Sequence, residues 1–124
     1  MAIRVLLVED DTLTRRNTAI YLRRAQFEVD EAANGDEAIR LITSIDDYDA
    51  IVSDLRMAGG PDGMDVIACQ QRVSPGTPSI LVTAFGSDQL LKRAQNLNID
   101  YLEKPISLTE LVSRIRASTT RSTP

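Results

Sequence analysis

Five short apolar runs alternate with amphipathic stretches of helical length, and that order leaves few folds open to this chain. Strands are expected at about 3–8, 27–32, 49–53, 78–83 and 99–103, where the runs are short and rich in Val, Ile and Leu. Helices are expected at about 12–25, 35–45, 63–73, 86–97 and 107–118. Thr12-Leu13-Thr14 offers a start for the first helix, with Ile20, Leu22 and Phe27 carrying apolar surface onward. Asn34-Gly35-Asp36-Glu37 reads as a turn and cap ahead of Ala38, Ile39, Leu41 and Ile42. Ser74-Pro75-Gly76-Thr77-Pro78 is a loop delivering the fourth strand, and Ser107-Leu108-Thr109-Glu110 has the pattern of a capping box. Five strand–helix units in this order imply right-handed crossovers and a parallel sheet covered by helices on both faces. The expectation is an α/β chain, a doubly wound (βα)5 three-layer sandwich.

The length of 124 residues suits one domain, expected over 1–118, with 119–124 as a flexible tail or the start of a linker. A formal net charge of −4 without a basic run argues against direct nucleic-acid binding by this domain. No apolar stretch approaches twenty residues and no signal-peptide pattern follows Met1, so a cytoplasmic protein without a membrane span is expected. Cys69 is the single cysteine, which excludes an internal disulfide and suits a buried helix face. Histidine is absent. A Ser-His-Asp triad, a histidine-bearing metal site and a phosphohistidine carrier are therefore excluded within this chain.

Polar residues stand where the apolar runs end. Glu9-Asp10-Asp11 follows the first run, Asp54 the third, Thr83 the fourth and Lys104-Pro105 the fifth. In an open parallel sheet the strand carboxyl ends share one rim, and ligands bind there. Taken alone, Glu9-Asp10-Asp11 fits helix capping as well as metal binding. Asp54, ending a different strand among Ile51, Val52 and Leu55, shifts that balance toward a cation. Carboxylates brought together repel, and one takes up a proton unless a cation intervenes. Mg²⁺ suits such a set because it takes oxygen ligands and keeps waters. Thr83 also fits an ordinary β-former or cap, although the small Ala84 after it leaves room for a phosphoryl oxygen. Lys104 also fits an ordinary ion pair, although the proline after it restricts its backbone and so the direction of its ammonium.

Leu6-Leu7-Val8-Glu9-Asp10-Asp11, Val52-Ser53-Asp54-Leu55-Arg56-Met57, Val82-Thr83-Ala84 and Asp100-Tyr101-Leu102-Glu103-Lys104-Pro105 occur in this order. Over essentially its whole length, the chain resembles the receiver domain of two-component response regulators. The resemblance implies a flavodoxin-like fold that accepts a phosphoryl group from a sensor histidine kinase, or a phosphotransfer protein, onto Asp54. It selects Glu9 and Asp10 as the acidic pair, a register supported by Arg15 five residues after Asp10. Mg²⁺, with Mn²⁺ able to substitute, would be held by Asp10, Asp54 and the Arg56 backbone carbonyl, and by Glu9 through water. Asp11 would favour the following helix start. Thr83 would hydrogen-bond the phosphoryl group, Lys104 would pair with it, and Tyr101 would be the switch aromatic. Arg56, Ala84 and Phe85 would line phosphoryl access, with Arg56 and Phe85 flanking the approach of water and slowing the loss of the group.

The expected output surface is the fourth helix, fifth strand and fifth helix, where Asp100, Arg114 and Arg116 resemble a receiver homodimer face. The chain departs from the pattern at Ala58, where receivers place a proline, and in Ala58-Gly59-Gly60-Pro61-Asp62-Gly63, one residue longer than usual, which predicts high backbone freedom. It also looks one residue short between Thr83 and Lys104, with Asn98 filling a position often taken by glycine. Two rival readings stay open. One is a Mg²⁺-dependent phosphohydrolase with an aspartyl-phosphate intermediate, of the haloacid-dehalogenase type, although that type spaces its two acids as Glu9 and Asp11 are spaced. The other is a receiver-like interaction module that is never phosphorylated.

Overall fold

The computed structural model describes residues 2–45, 47–84, 88–97 and 99–119. Strands and helices alternate as β1 (Arg4–Val8), α1 (Thr12–Arg24), β2 (Glu28–Ala32), α2 (Gly35–Ile45), β3 (Ala50–Asp54), α3 (Gly63–Val73), β4 (Ser79–Thr83), α4 (Asp88–Asn96), β5 (Asp100–Glu103) and α5 (Leu108–Thr119). The expected elements are therefore all present, with boundaries shifted by two residues at most. The strands form one sheet in the order β2-β1-β3-β4-β5, and every pairing is parallel. Strand order reverses direction between β1 and β3, so a crevice opens beyond their carboxyl ends.

Side-chain alternation along each strand divides the apolar residues between two cores. Leu6, Val8, Ile51 and Leu81 face Ala38 and Ile42 of α2 and Ile67 and Cys69 of α3. Val5, Leu7, Val52, Ile80 and Val82 face Ala19 and Leu22 of α1 and Leu111 and Ile115 of α5. Both faces of the central strands are dry, which is why their sequence reads as continuous apolar runs.

Local chemistry sets the helix ends. Asp11 caps α1, its carboxylate accepting from the Thr14 amide at 2.9 Å and the Thr14 hydroxyl at 2.6 Å. Asn34 accepts from the Glu37 amide while Glu37 reaches back to the Ala33 amide. Asp62 and Asp65 form a reciprocal capping box on α3. At α5 only half of the expected box exists. Ser107 accepts from the Glu110 amide, but the Glu110 carboxylate turns to Arg114 four residues on. A second correction concerns Ile20, which is 47 % exposed and contributes to neither core. The helical repeat that buries Ala19 and Leu22 carries Ile20 to the opposite side. Phe85, Asn98 and 120–124 lie outside the described residues.

Candidate functional site

The parallel register brings the polar strand ends to one rim. Val8 lies beside Ser53, Asp54 beside Val82, and Thr83 beside Glu103. Asp54 is the last residue of β3 and Thr83 the last of β4. Glu9 follows β1, with its amide donating to the Ala32 carbonyl. Lys104 follows β5, its amide donating to the Thr83 carbonyl at 2.8 Å. Glu9, Asp54 and Thr83 are only 6 %, 8 % and 3 % exposed, whereas Asp10 is open to solvent.

Glu9, Asp10 and Asp54 each present a carboxylate oxygen, and the three atoms lie within 4.8 Å of one another. The Lys104 ammonium reaches Asp54 at 2.9 Å and Glu9 at 3.3 Å. At 4.8 Å, the upper limit of separation among the carboxylate oxygens, two like charges repel by roughly 3 kcal/mol with an effective dielectric constant of about 20. One ammonium facing three carboxylates leaves an excess of negative charge, which a divalent cation or a proton must balance. Glu9 is shifted toward its protonated form. Burial, chiefly, raises its pKa to about 7; the Asp11 amide opposes this, Asp54 adds to it, and Lys104 again opposes. Lys104 responds in the complementary way. Burial pulls its pKa down, but Asp54 and then Glu9 outweigh that and hold it above the ordinary lysine value.

Hydrogen bonds fix the acid loop from several directions. The Asp11 amide donates to Glu9 Oε2 at 2.9 Å, and the Ala58 amide donates to Asp10 Oδ2 at 3.2 Å. Arg15 donates to the Glu9 carbonyl at 3.0 Å and pairs with Glu31 on β2. Glu31 is in turn held by Arg23. The Asp11 carboxylate points into its own helix start, and Thr14 lowers its pKa below the aspartate range. Asp11 is thus occupied by capping, and the other two acids of the run belong to the cluster.

A cleft of about 610 Å³ opens beside this rim, lined by Glu9, Asp54, Ala84 and Lys104 together with Asn17 and Ile106. Ala84 is exposed directly after β4, Arg56 is exposed two residues after Asp54, and Tyr101 is half-buried on β5. The Asn17 lining and the Ala58 contact were not foreseen. An α1 residue facing the cleft has a signal of sorts, one turn after Thr14 on the same helix face. The Ala58 amide has none, because a backbone donor carries no mark in the sequence.

Three comparisons bear on this arrangement. The family model described as the response regulator receiver domain matches residues 5–116. The transcriptional regulatory protein ResD of Bacillus subtilis is 40 % identical over 118 residues, covering 92 % of this chain and 47 % of ResD. The response regulator MprA of Mycolicibacterium vanbaalenii is 36 % identical, covering all of this chain and 53 % of MprA. The chain thus spans about half the length of the curated relatives it matches. Among solved structures, the non-phosphorylated HemR receiver domain of Leptospira biflexa superposes with a TM-score of 0.88 at 27 % identity, covering 98 % of each chain.

Proposed function

The chain belongs to the response regulator receiver family, and on that premise we propose that Asp54 accepts a phosphoryl group from the phosphohistidine of a sensor histidine kinase or phosphotransfer protein. The observation that carries the reading is the convergence of Glu9, Asp10 and Asp54 on one point, with the Lys104 ammonium on the Asp54 carboxylate. Three carboxylate oxygens of this kind fit a hard divalent cation, Mg²⁺ or Mn²⁺. Asp10, Asp54 and the Arg56 carbonyl would hold it, with Glu9 through water. When bound, the cation supplies positive charge to the phosphoryl oxygens.

The remaining chemistry belongs to side chains. Asp54 attacks as a carboxylate and needs no general base. Lys104 neutralises charge on the transferring group, and Thr83 donates its hydroxyl to the phosphoryl group once formed. Thr83 and Lys104 adjoin β5 through one backbone hydrogen bond, so a shift at the rim is read by Tyr101 on that strand. Arg56 and Ala84 flank the approach. As a signalling phosphoacceptor the site would work in the cytoplasm; separately, among the described residues no helix is long and apolar enough to cross a membrane. The comparisons favour neither the phosphohydrolase nor the unphosphorylated module.

Incubation with Mg²⁺ and acetyl phosphate should add one phosphoryl group by intact mass. Asp54→Asn should abolish it, and undiminished labelling in that variant would move the acceptor elsewhere. Asp10→Ala should weaken Mg²⁺ binding at least tenfold. Asp11→Ala should lower stability alone, since the Asp11 amide that serves Glu9 is retained.

A further inference from the structure

The loop from Leu55 to Asp62 contains two glycines at positive φ, Gly59 (+63°) and Gly60 (+64°), and by composition it has wide backbone freedom. It is nonetheless tied at its ends and its middle. The Leu55 amide donates to the Val82 carbonyl, and the Gly63 amide closes the base on the Leu55 carbonyl, each at 2.8 Å. Between them, the Ala58 amide reaches Asp10 Oδ2.

A further tie is steric. Gly35, the buried first residue of α2, lies directly under Pro61. A Cβ at Gly35 would stand 2.3 Å from the Pro61 carbonyl oxygen and 2.8 Å from the Pro61 Cβ, both inside any real contact distance. The backbone of Gly35 is not in the left-handed region, so the helix itself would accept alanine and by propensity would prefer it. What excludes a side chain is the loop. Gly35 provides the seat on which Pro61 rests.

We propose that Gly35 and Pro61 form a steric latch that positions the Leu55–Asp62 loop and, through the Ala58 amide, the Asp10 carboxylate for divalent-cation binding. Gly35 is a positioning residue here and touches neither cation nor phosphoryl group. The inference rests on the reading of the acid cluster as a divalent-cation site. Groups that orient a metal ligand typically change metal affinity by about 10- to 100-fold when lost. The latch acts by keeping the glycine-rich segment from sampling positions in which the amide leaves Asp10.

The test uses the full chain with Gly35→Ala and Pro61→Gly. The second variant loosens the latch from the loop side, adds no atom beside α2, and keeps the test decisive should the first fail to fold. In metal-free protein, the Ala58 amide order parameter should fall from about 0.85 to below about 0.6 in both variants, with Ile51 and Val52 unchanged. Mn²⁺ alone, titrated by electron paramagnetic resonance, should bind about tenfold more weakly to both. A Pro61→Gly protein with parental Ala58 order and Mn²⁺ affinity within twofold of the parent would overturn the latch and leave the metal reading intact. A parent chain that binds no Mn²⁺ would overturn the metal reading, and with it the latch's role in cation binding, whatever Ala58 does.

Discussion

Burial and the nearby Asp54 both oppose ionisation of Glu9, and together they outweigh the Asp11 amide and Lys104. With the pKa raised from 4.5 to about 7, the folded chain holds a proton that the unfolded chain has released. Stability from this proton is fully present below about pH 4.5 and is lost as pH rises through about 7, because the native state binds more protons across that window. Metal-free protein should accordingly lose thermal stability between pH 5 and pH 8 more steeply than Glu9→Gln does. Mg²⁺, which requires the ionised carboxylate, should lessen the loss at the upper end. Scanning calorimetry of both proteins, with and without chelator, checks this. Equal slopes for parent and variant would mean that Glu9 is ionised in the native state throughout.

At the scale of elements, α3 follows the loop that carries Arg56 and Ala58, so its first turn fixes one end of the site. Asp62 and Asp65 satisfy two otherwise unpaired amides there. Gly63 lies so close under β3 that a Cβ would stand 2.2 Å from the Asp54 carbonyl and 2.9 Å from Leu81. Glycine at this point lets the helix begin directly against the end of β3. Asp62→Ala should cost about 1 kcal/mol, a fall of roughly 3–6 °C in melting temperature for a domain of this size. Asp65→Ala removes only the reciprocal arm and should cost less. Equal losses in the two variants, or none, would contradict the capping account of this helix start.

Across the whole molecule, α5 and β5 link the rim to an outer face. Arg114 donates to Asp100 at 2.6 Å and to the Tyr101 carbonyl at 3.3 Å, and its other nitrogen reaches Glu110. Arg116 serves elsewhere, donating to the Ala25 carbonyl and lying over the Phe27 ring. Half-exposed pairs of the Asp100–Arg114 kind contribute about 0–1 kcal/mol each. Exchanging them for the same pair in a second copy across a twofold axis therefore forfeits little. Phosphorylated protein should sediment as a dimer at concentrations where the unmodified chain is monomeric, and Arg114→Glu should return it to monomer. A phosphorylated chain that stays monomeric at high concentration would remove this surface from the dimer reading.

The alternation of five apolar runs with five amphipathic stretches determined the order and approximate limits of every element, because strand and helix periods are local properties of the chain. It also determined which residues reach the rim, since a parallel sheet gathers whatever stands at the carboxyl end of each strand. Asp54, Thr83, Lys104 and the acid run were legible for that reason, and the similarity of their motifs to receivers supplied the roles. Tertiary structure alone decided that Glu9 is buried against Lys104 and that the Asp10 carboxylate takes the Ala58 amide. It decided that Arg15 spans Glu9 and Glu31 and that Pro61 rests on Gly35. These depend on distances between residues far apart in the chain. Such distances are set by strand order and by the packing of helices onto the sheet, to which the local periods of the sequence contribute only direction and spacing.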